Sequence, residues 1–207
     1  MKKGVDLVQD LIPRQKIGRQ IDVVEERRFN NEADAIKFFE LARYRLLDIN
    51  NWYSLAGNSL SKFQLVDLFG NPVERLAREG DYIKIDIPGP GTILGGGYDW
   101  VLIEVIIAKS APGMDSLALR ARPTANPLSK KMDTAHFLTE KATSTFQVKR
   151  IVNNVYAEEH GRNEKANIHT EAVVDNIRNL LVGWAASLGL SYPQWKLLVK
   201  GILEGQV

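Results

Sequence analysis

Apolar residues recur every second position through most of the middle of this chain, and every third or fourth position near its ends. The sharpest alternation runs from Tyr82 to Ile87, with Ile83, Ile85 and Ile87 on one side and Tyr82, Lys84 and Asp86 on the other. Period two with a single dry side predicts a half-buried strand. Tyr98 to Ala108 predicts a long strand, its drier side made of Val101, Ile103, Val105 and Ile107. Between them Pro88-Gly89-Pro90-Gly91 and Gly95-Gly96-Gly97 cannot continue a ladder, so this stretch reads as a turn or rim loop.

The remaining elements follow in chain order. Val5 to Ile12 predicts one or two helical turns ended by Pro13, in a terminal arm (1–20) that lies on the domain. Ile21 to Phe29 predicts the first strand. Asn30-Asn31 then caps a helix from Glu32 to Leu47, with Ala35, Phe38, Phe39, Ala42 and Leu46 on one face and Glu32 and Asp34 in the first turn. The segment holding Trp52 and Tyr53 fits a second short helix. Ser61 to Asp67 predicts a strand followed by a turn at 68–72, and Val73 to Glu79 fits either a strand or a helical turn. Leu117, Leu119 and Ala121 mark another strand, and Thr139 to Ile151 with Val155 to Gly161 a hairpin turning at Asn153-Asn154. The period then lengthens. Val173, Ile177, Leu180, Leu181, Trp184 and Leu188 predict a long helix from Thr170 to Gly189. Ser191 and Gln194 form a capping box for a last helix to about Glu204, with Trp195, Leu198, Val199 and Ile202 on one face.

Composition narrows the options. The 207 residues carry 27 basic and 25 acidic side chains, a net charge of +2, and 44% hydrophobic residues. This is an ordinary globular balance with enough chain for one good core, and it argues against a nucleic-acid stripe. No cysteine is present, which excludes disulfides, thiolate metal sites and cysteine nucleophiles. No secretory leader follows Met1-Lys2-Lys3-Gly4, and no apolar run approaches the roughly 20 residues of a membrane span. A cytoplasmic protein without integral membrane association is expected.

The order strand, helix, short helix, antiparallel strands and long helix resembles the START-like superfamily (SRPBCC, or helix-grip, proteins) over residues 20–190, with Trp52 just after the first helices. The resemblance implies an α+β fold in which a curved antiparallel sheet wraps the long helix over a cavity for apolar or amphipathic molecules. The domain then spans 21–190, and the helix in 191–207 is an addition packed on it. Pocket candidates on this reading are Ile85, Val101, Ile103, Leu119, Phe146, Ile177, Leu181 and Trp184.

Candidate chemistry is sparse. Gly95-Gly96-Gly97 leads into a strand with no lysine, so neither a P-loop nor a dinucleotide fingerprint is present. The loop of Pro88, Gly89, Pro90 and Gly91 is either a plain turn or a gate over the pocket. His160, Glu164 and His169 carry metal-ligating atoms but lack a spacing that gathers them, and no metal site is expected. Arg120 and Arg122 share a strand face, either paired with Glu104 or Asp86 or meeting an anionic ligand. Asp99 falls on the face of Val101 and Ile103, where a carboxylate at the edge of an apolar cavity could act as a base, with His136 and Tyr53 as partners. The leading expectation is therefore non-catalytic binding of an apolar or amphipathic small molecule, with no cofactor and no nucleic-acid partner. The alternatives are a cyclase- or hydrolase-type enzyme using Asp99, His136 and Arg120, and an interaction module or homodimer built on the C-terminal helices.

Overall fold

The computed structural model describes residues 6–58, 61–88, 92–168, 175 and 191–205. Strand β1 (Arg19–Arg28) leads into helix α1 (Glu32–Leu47). A 3-10 turn (Ile49–Asn51) then joins it to the single-turn helix α2 (Trp52–Leu55). The strands β2 (Lys62–Val66), β3 (Tyr82–Asp86), β4 (Asp99–Ala111), β5 (Met114–Pro123), β6 (Thr143–Ile151) and β7 (Asn154–Glu164) follow. Helix α3 (Ser191–Leu203) closes the described chain. All seven strands form one antiparallel sheet in the order β1-β7-β6-β5-β4-β3-β2. Hairpin neighbours pair in sequence, while the α1–α2 excursion sends β1 and β2 to opposite edges. This is the α+β architecture, a curved antiparallel sheet with few helices, that the alternating middle and helical ends predict.

The helix α1 forms where its pattern says it should. The Asn31 side chain accepts the Asp34 amide at 2.9 Å, and Ala35, Phe38, Phe39, Ala42 and Leu46 are all buried. They pack on the sheet's inner face, which presents Ile21 and Val23 of β1, Phe146 and Val148 of β6, and Val155 and Ala157 of β7. Helix α3 adds Leu198, Val199 and Ile202 to the same core, so its apolar face is used within the domain. Each fully buried Leu or Ile of this kind stabilises the fold by about 1.5–3 kcal/mol relative to exposure. Of the long helix expected over 170–188, only the helical Asp175 is among the described residues; Ile177, Leu181 and Trp184 lie outside them.

The outer face is covered in part by the arm. Asp6 accepts from Gln147 at 2.9 Å and pairs with Lys149 at 3.1 Å, and Leu11 receives Arg120 through its carbonyl. Val8 is buried beneath it, and the arm carries one 3-10 turn at Gln9–Leu11.

The fold departs from the expected pattern at three places. A bulge between Ile103 and Val105 inserts one residue into β4, so Ile106 rather than Val105 or Ile107 joins the inner core. The β6–β7 turn is Val152-Asn153, closed by the Ile151–Asn154 pair, with Val152 rather than an asparagine in the left-handed region at φ 54°. The segment 73–79 forms neither strand nor helix, and residues 139–142 precede β6 rather than belong to it.

Candidate functional site

Four aromatic rings meet on the inner face. Trp52 stands 4.7 Å from Phe146 and 5.5 Å from Phe63, and Trp195 stands 5.1 Å from Phe146 and 6.1 Å from Phe63, centroid to centroid. Their placement follows from the fold. Trp52 is fixed because its indole nitrogen donates to the Leu46 carbonyl at 3.1 Å. Phe63 and Phe146 are inward positions of β2 and β6, and α3 delivers Trp195. Beside them lies a cavity of about 270 Å³, also lined by Ile83, Ile85, Ile87 and Val101. That is close to the lower bound, roughly 300 Å³, of typical small-molecule pockets.

The cavity's polar groups come mainly from the start of β6, the end of β7 and the loop before β6: Thr143, Ser144, Glu164 and His136, with Ser61 and Gln194 from elsewhere. The loop is held from beneath. Asp99 is fully buried and accepts the Phe137 amide at 2.9 Å, while the Asn167 side chain donates to the carbonyls of Thr134 and His136. His136 stacks on Phe137 and accepts the Leu138 amide through Nδ1 at 2.9 Å.

Glu164 reaches the cavity by an indirect route. Simple alternation along β7 would put it on the side of His160, four residues back. The β1–β7 register shifts between Arg19 and Ile21, however, and Asn163 adopts φ 57°. This bulge turns Glu164 inward, where its carboxyl folds over Gly161; a Cβ there would lie 2.5 Å from its Oε1. Burial pushes Glu164 up to about 7, against the opposing influence of Arg19 and Arg162. Behind it, Glu159 has no exposed surface. Burial raises it well above the ordinary carboxyl range, aided by the charges of Glu164 and Asp22; Ser144 and Arg162 offset this only partly.

The residues named from sequence are dispersed as follows. Ile85, Val101, Phe146, His136 and Pro88 line the cavity. Ile103 and Leu119 point inward but are packed core. Asp99 supports the His136 loop rather than lining the space. Arg120 stands on the outer face, where its Nε meets Glu104 at 2.8 Å; Arg122 joins the same carboxylate. The bulge in β4 carries Glu104 to both arginines, so neither guanidinium faces the cavity. Gly89, Pro90 and Gly91 lie outside the described residues. The rest of their loop is anchored, since Asp175 accepts from Thr92 Oγ1 at 2.8 Å and from the amides of Ile93 and Leu94. His160 lies on the outer face between Asp22 (2.6 Å) and Glu158 (3.0 Å). It is thus parted from Glu164, and no metal-ligating cluster occurs among the described residues. Glu159 and the inward turn of Glu164 escaped sequence reasoning. An asparagine near the end of a strand is the one local signal that a left-handed break was available.

No family model and no curated protein matches the chain. Among solved structures it is similar to the protein Ara h 8.0201 (10% identity, TM-score 0.36), covering 90% of this chain and all of that one. It is also similar to a truncated norcoclaurine synthase from Thalictrum flavum (10%, 0.35, 94% of this chain and all of that one). A third is the Zhui aromatase/cyclase from Streptomyces sp. R1128 (8%, 0.39, 89% and 93%). No described helix is long and apolar enough to cross a membrane.

Proposed function

We propose that this protein binds an apolar or amphipathic small molecule in the inner-face cavity without transforming it, and does so in the cytoplasm. The supporting observation is the wall of Trp52, Phe63, Phe146 and Trp195 around a cavity whose polar groups gather mainly at one end. Apolar lining with a few placed polar groups is how small-molecule sites bind and orient a ligand. The cysteine-free composition suits a reducing compartment. The enzyme reading asks at least two of Asp99, His136 and Arg120 to converge in one cleft, and of the three His136 lines this one.

Native mass spectrometry of gently purified protein tests the proposal, together with titration by a neutral naphthalene dye such as Prodan. The expected result is a bound species of defined excess mass, or saturable dye binding at one site, lost in the variant I85W, which fills the cavity. A clean mass together with unsaturable dye binding would refute it.

A further inference from the structure

The described lining contains one acidic side chain, Glu164, and neither lysine nor arginine. His136 Nδ1 is taken by the Leu138 amide. The Arg162 guanidinium is committed elsewhere, to the carbonyls of Ile21 and Gly161 and to Asp22. Glu159 stands directly behind, opposite Phe146 on one side and Val23 on the other, two residues from the Gly161 that Glu164 covers. One carboxyl group therefore faces the aromatic cavity, with a second buried near it on the same strand. Thr143 in the same lining has a buried hydroxyl with no partner among the described residues.

Buried acceptors without donors are costly, and a carboxylate needs a counter-charge where water is scarce. An ammonium supplies both, and aromatic faces beside it favour a cation further. A ligand carboxylate or phosphate would meet like charge with no fixed cation in the described lining. A hydroxyl supplies a donor but leaves the charge unanswered.

We propose that this cavity takes a primary amine, its ammonium group on the Glu164 carboxylate and its apolar body against the Trp52–Phe146–Trp195 wall. The inference rests on the ligand-binding reading above and names the ligand class. Glu164 is the binding group, and Glu159, whose burial favours its neutral form, stands beside it. Glu159, Asp22, Arg19 and Arg162 are the charged or titratable groups acting on the pair.

The test uses three probes of one shape: 2-phenylethylamine, 2-phenylethanol and 3-phenylpropanoate. Each is titrated into the full chain and followed by tryptophan fluorescence and calorimetry. At pH 8 the amine is expected to bind about tenfold tighter than the alcohol, with the acid weakest. Between pH 8 and pH 5.5 amine affinity should fall about 30-fold as a carboxyl with a pKa of about 7 takes up its proton, while the alcohol is unaffected. In E164Q the amine and alcohol should bind within about threefold of each other. The wild-type pH comparison decides the matter alone if E164Q does not fold. Equal, saturable binding of amine and alcohol at pH 8 overturns amine selection while leaving the cavity as a binding site. Failure of all three probes to bind overturns the amine assignment, and the ligand-binding reading falls with it only if native mass spectrometry and Prodan also show no bound species.

Discussion

Replacing Gly201 with alanine sets two effects of opposite sign against each other. In an unconstrained helix the substitution stabilises by about 1 kcal/mol, because alanine loses less backbone freedom on folding. Here a Cβ would stand 1.9 Å from the Leu55 carbonyl oxygen and 2.6 Å from its carbon. Relief requires α2 and α3 to separate by about 1.5 Å, given ordinary contact near 3.5 Å. Neither helix can yield cheaply. Trp52 ties α2 to the Leu46 carbonyl and to Phe146, and Leu198, Val199 and Ile202 hold α3 in the core. Overpacking costs about 1–3 kcal/mol and more when backbone must move, so the high end applies. The expected net loss is about 2 kcal/mol, or about 4–8 °C in Tm for a chain of this size. Thermal melting and urea titration measure it, with a lower midpoint and an unchanged m-value. A Tm at or above wild type would refute the seating of α3 against α2, and with it the wall that Gln194 and Trp195 give the cavity.

Three further outcomes follow from the geometry. Val152 is β-branched yet left-handed, and V152N should relieve about 1 kcal/mol and raise Tm by about 2–4 °C; a fall in calorimetric Tm contradicts the assigned turn. Folding lifts Glu164 from 4.5 to about 7, so the folded chain keeps a proton that the unfolded chain releases, and stability falls as pH rises through that window. E164Q should remove up to about 3 kcal/mol of this loss; urea midpoints of the two proteins that run parallel from pH 5 to pH 8 would count against it. N163G keeps the left-handed backbone but removes the acceptor of the Lys16 and Ile17 amides. It should speed hydrogen exchange at those amides about tenfold or more with little change in Tm; unchanged exchange would show that the arm is held by other contacts.

How far the sequence could be read depended on whether a feature was local. Helix α1 is legible end to end, since Asn31, Glu32 and the Phe38–Phe39–Ala42–Leu46 stripe state its start and its buried face. Ile83 and Ile85 likewise declare β3. What could not be read are the places where one residue breaks a period. The bulge at Glu104 reverses the sides of Val105 and Ile107, and nothing in the local sequence distinguishes an inserted residue from a paired one. At the end of β7 the same physics hides Glu164, which counting by twos assigns to the face of His160. Glu159 reads as a polar residue on a strand end. Helices α1 and α3 cover the apolar residues of that face from far along the chain. The aromatic wall was visible residue by residue as core-forming tryptophans and phenylalanines, but their meeting at a cavity depends on how the elements pack.

Asn163 holds two surfaces that never touch. Its backbone swings Glu164 through to the inside, while its side chain clasps the arm outside through Lys16 and Ile17. Gln15 returns the grip on the Asn163 amide. A cut in the arm, or a protein that peels it away, would thus tug on the strand that aims Glu164 into the cavity without approaching its mouth. The arm and an inward-facing acid of the cavity share a single latch.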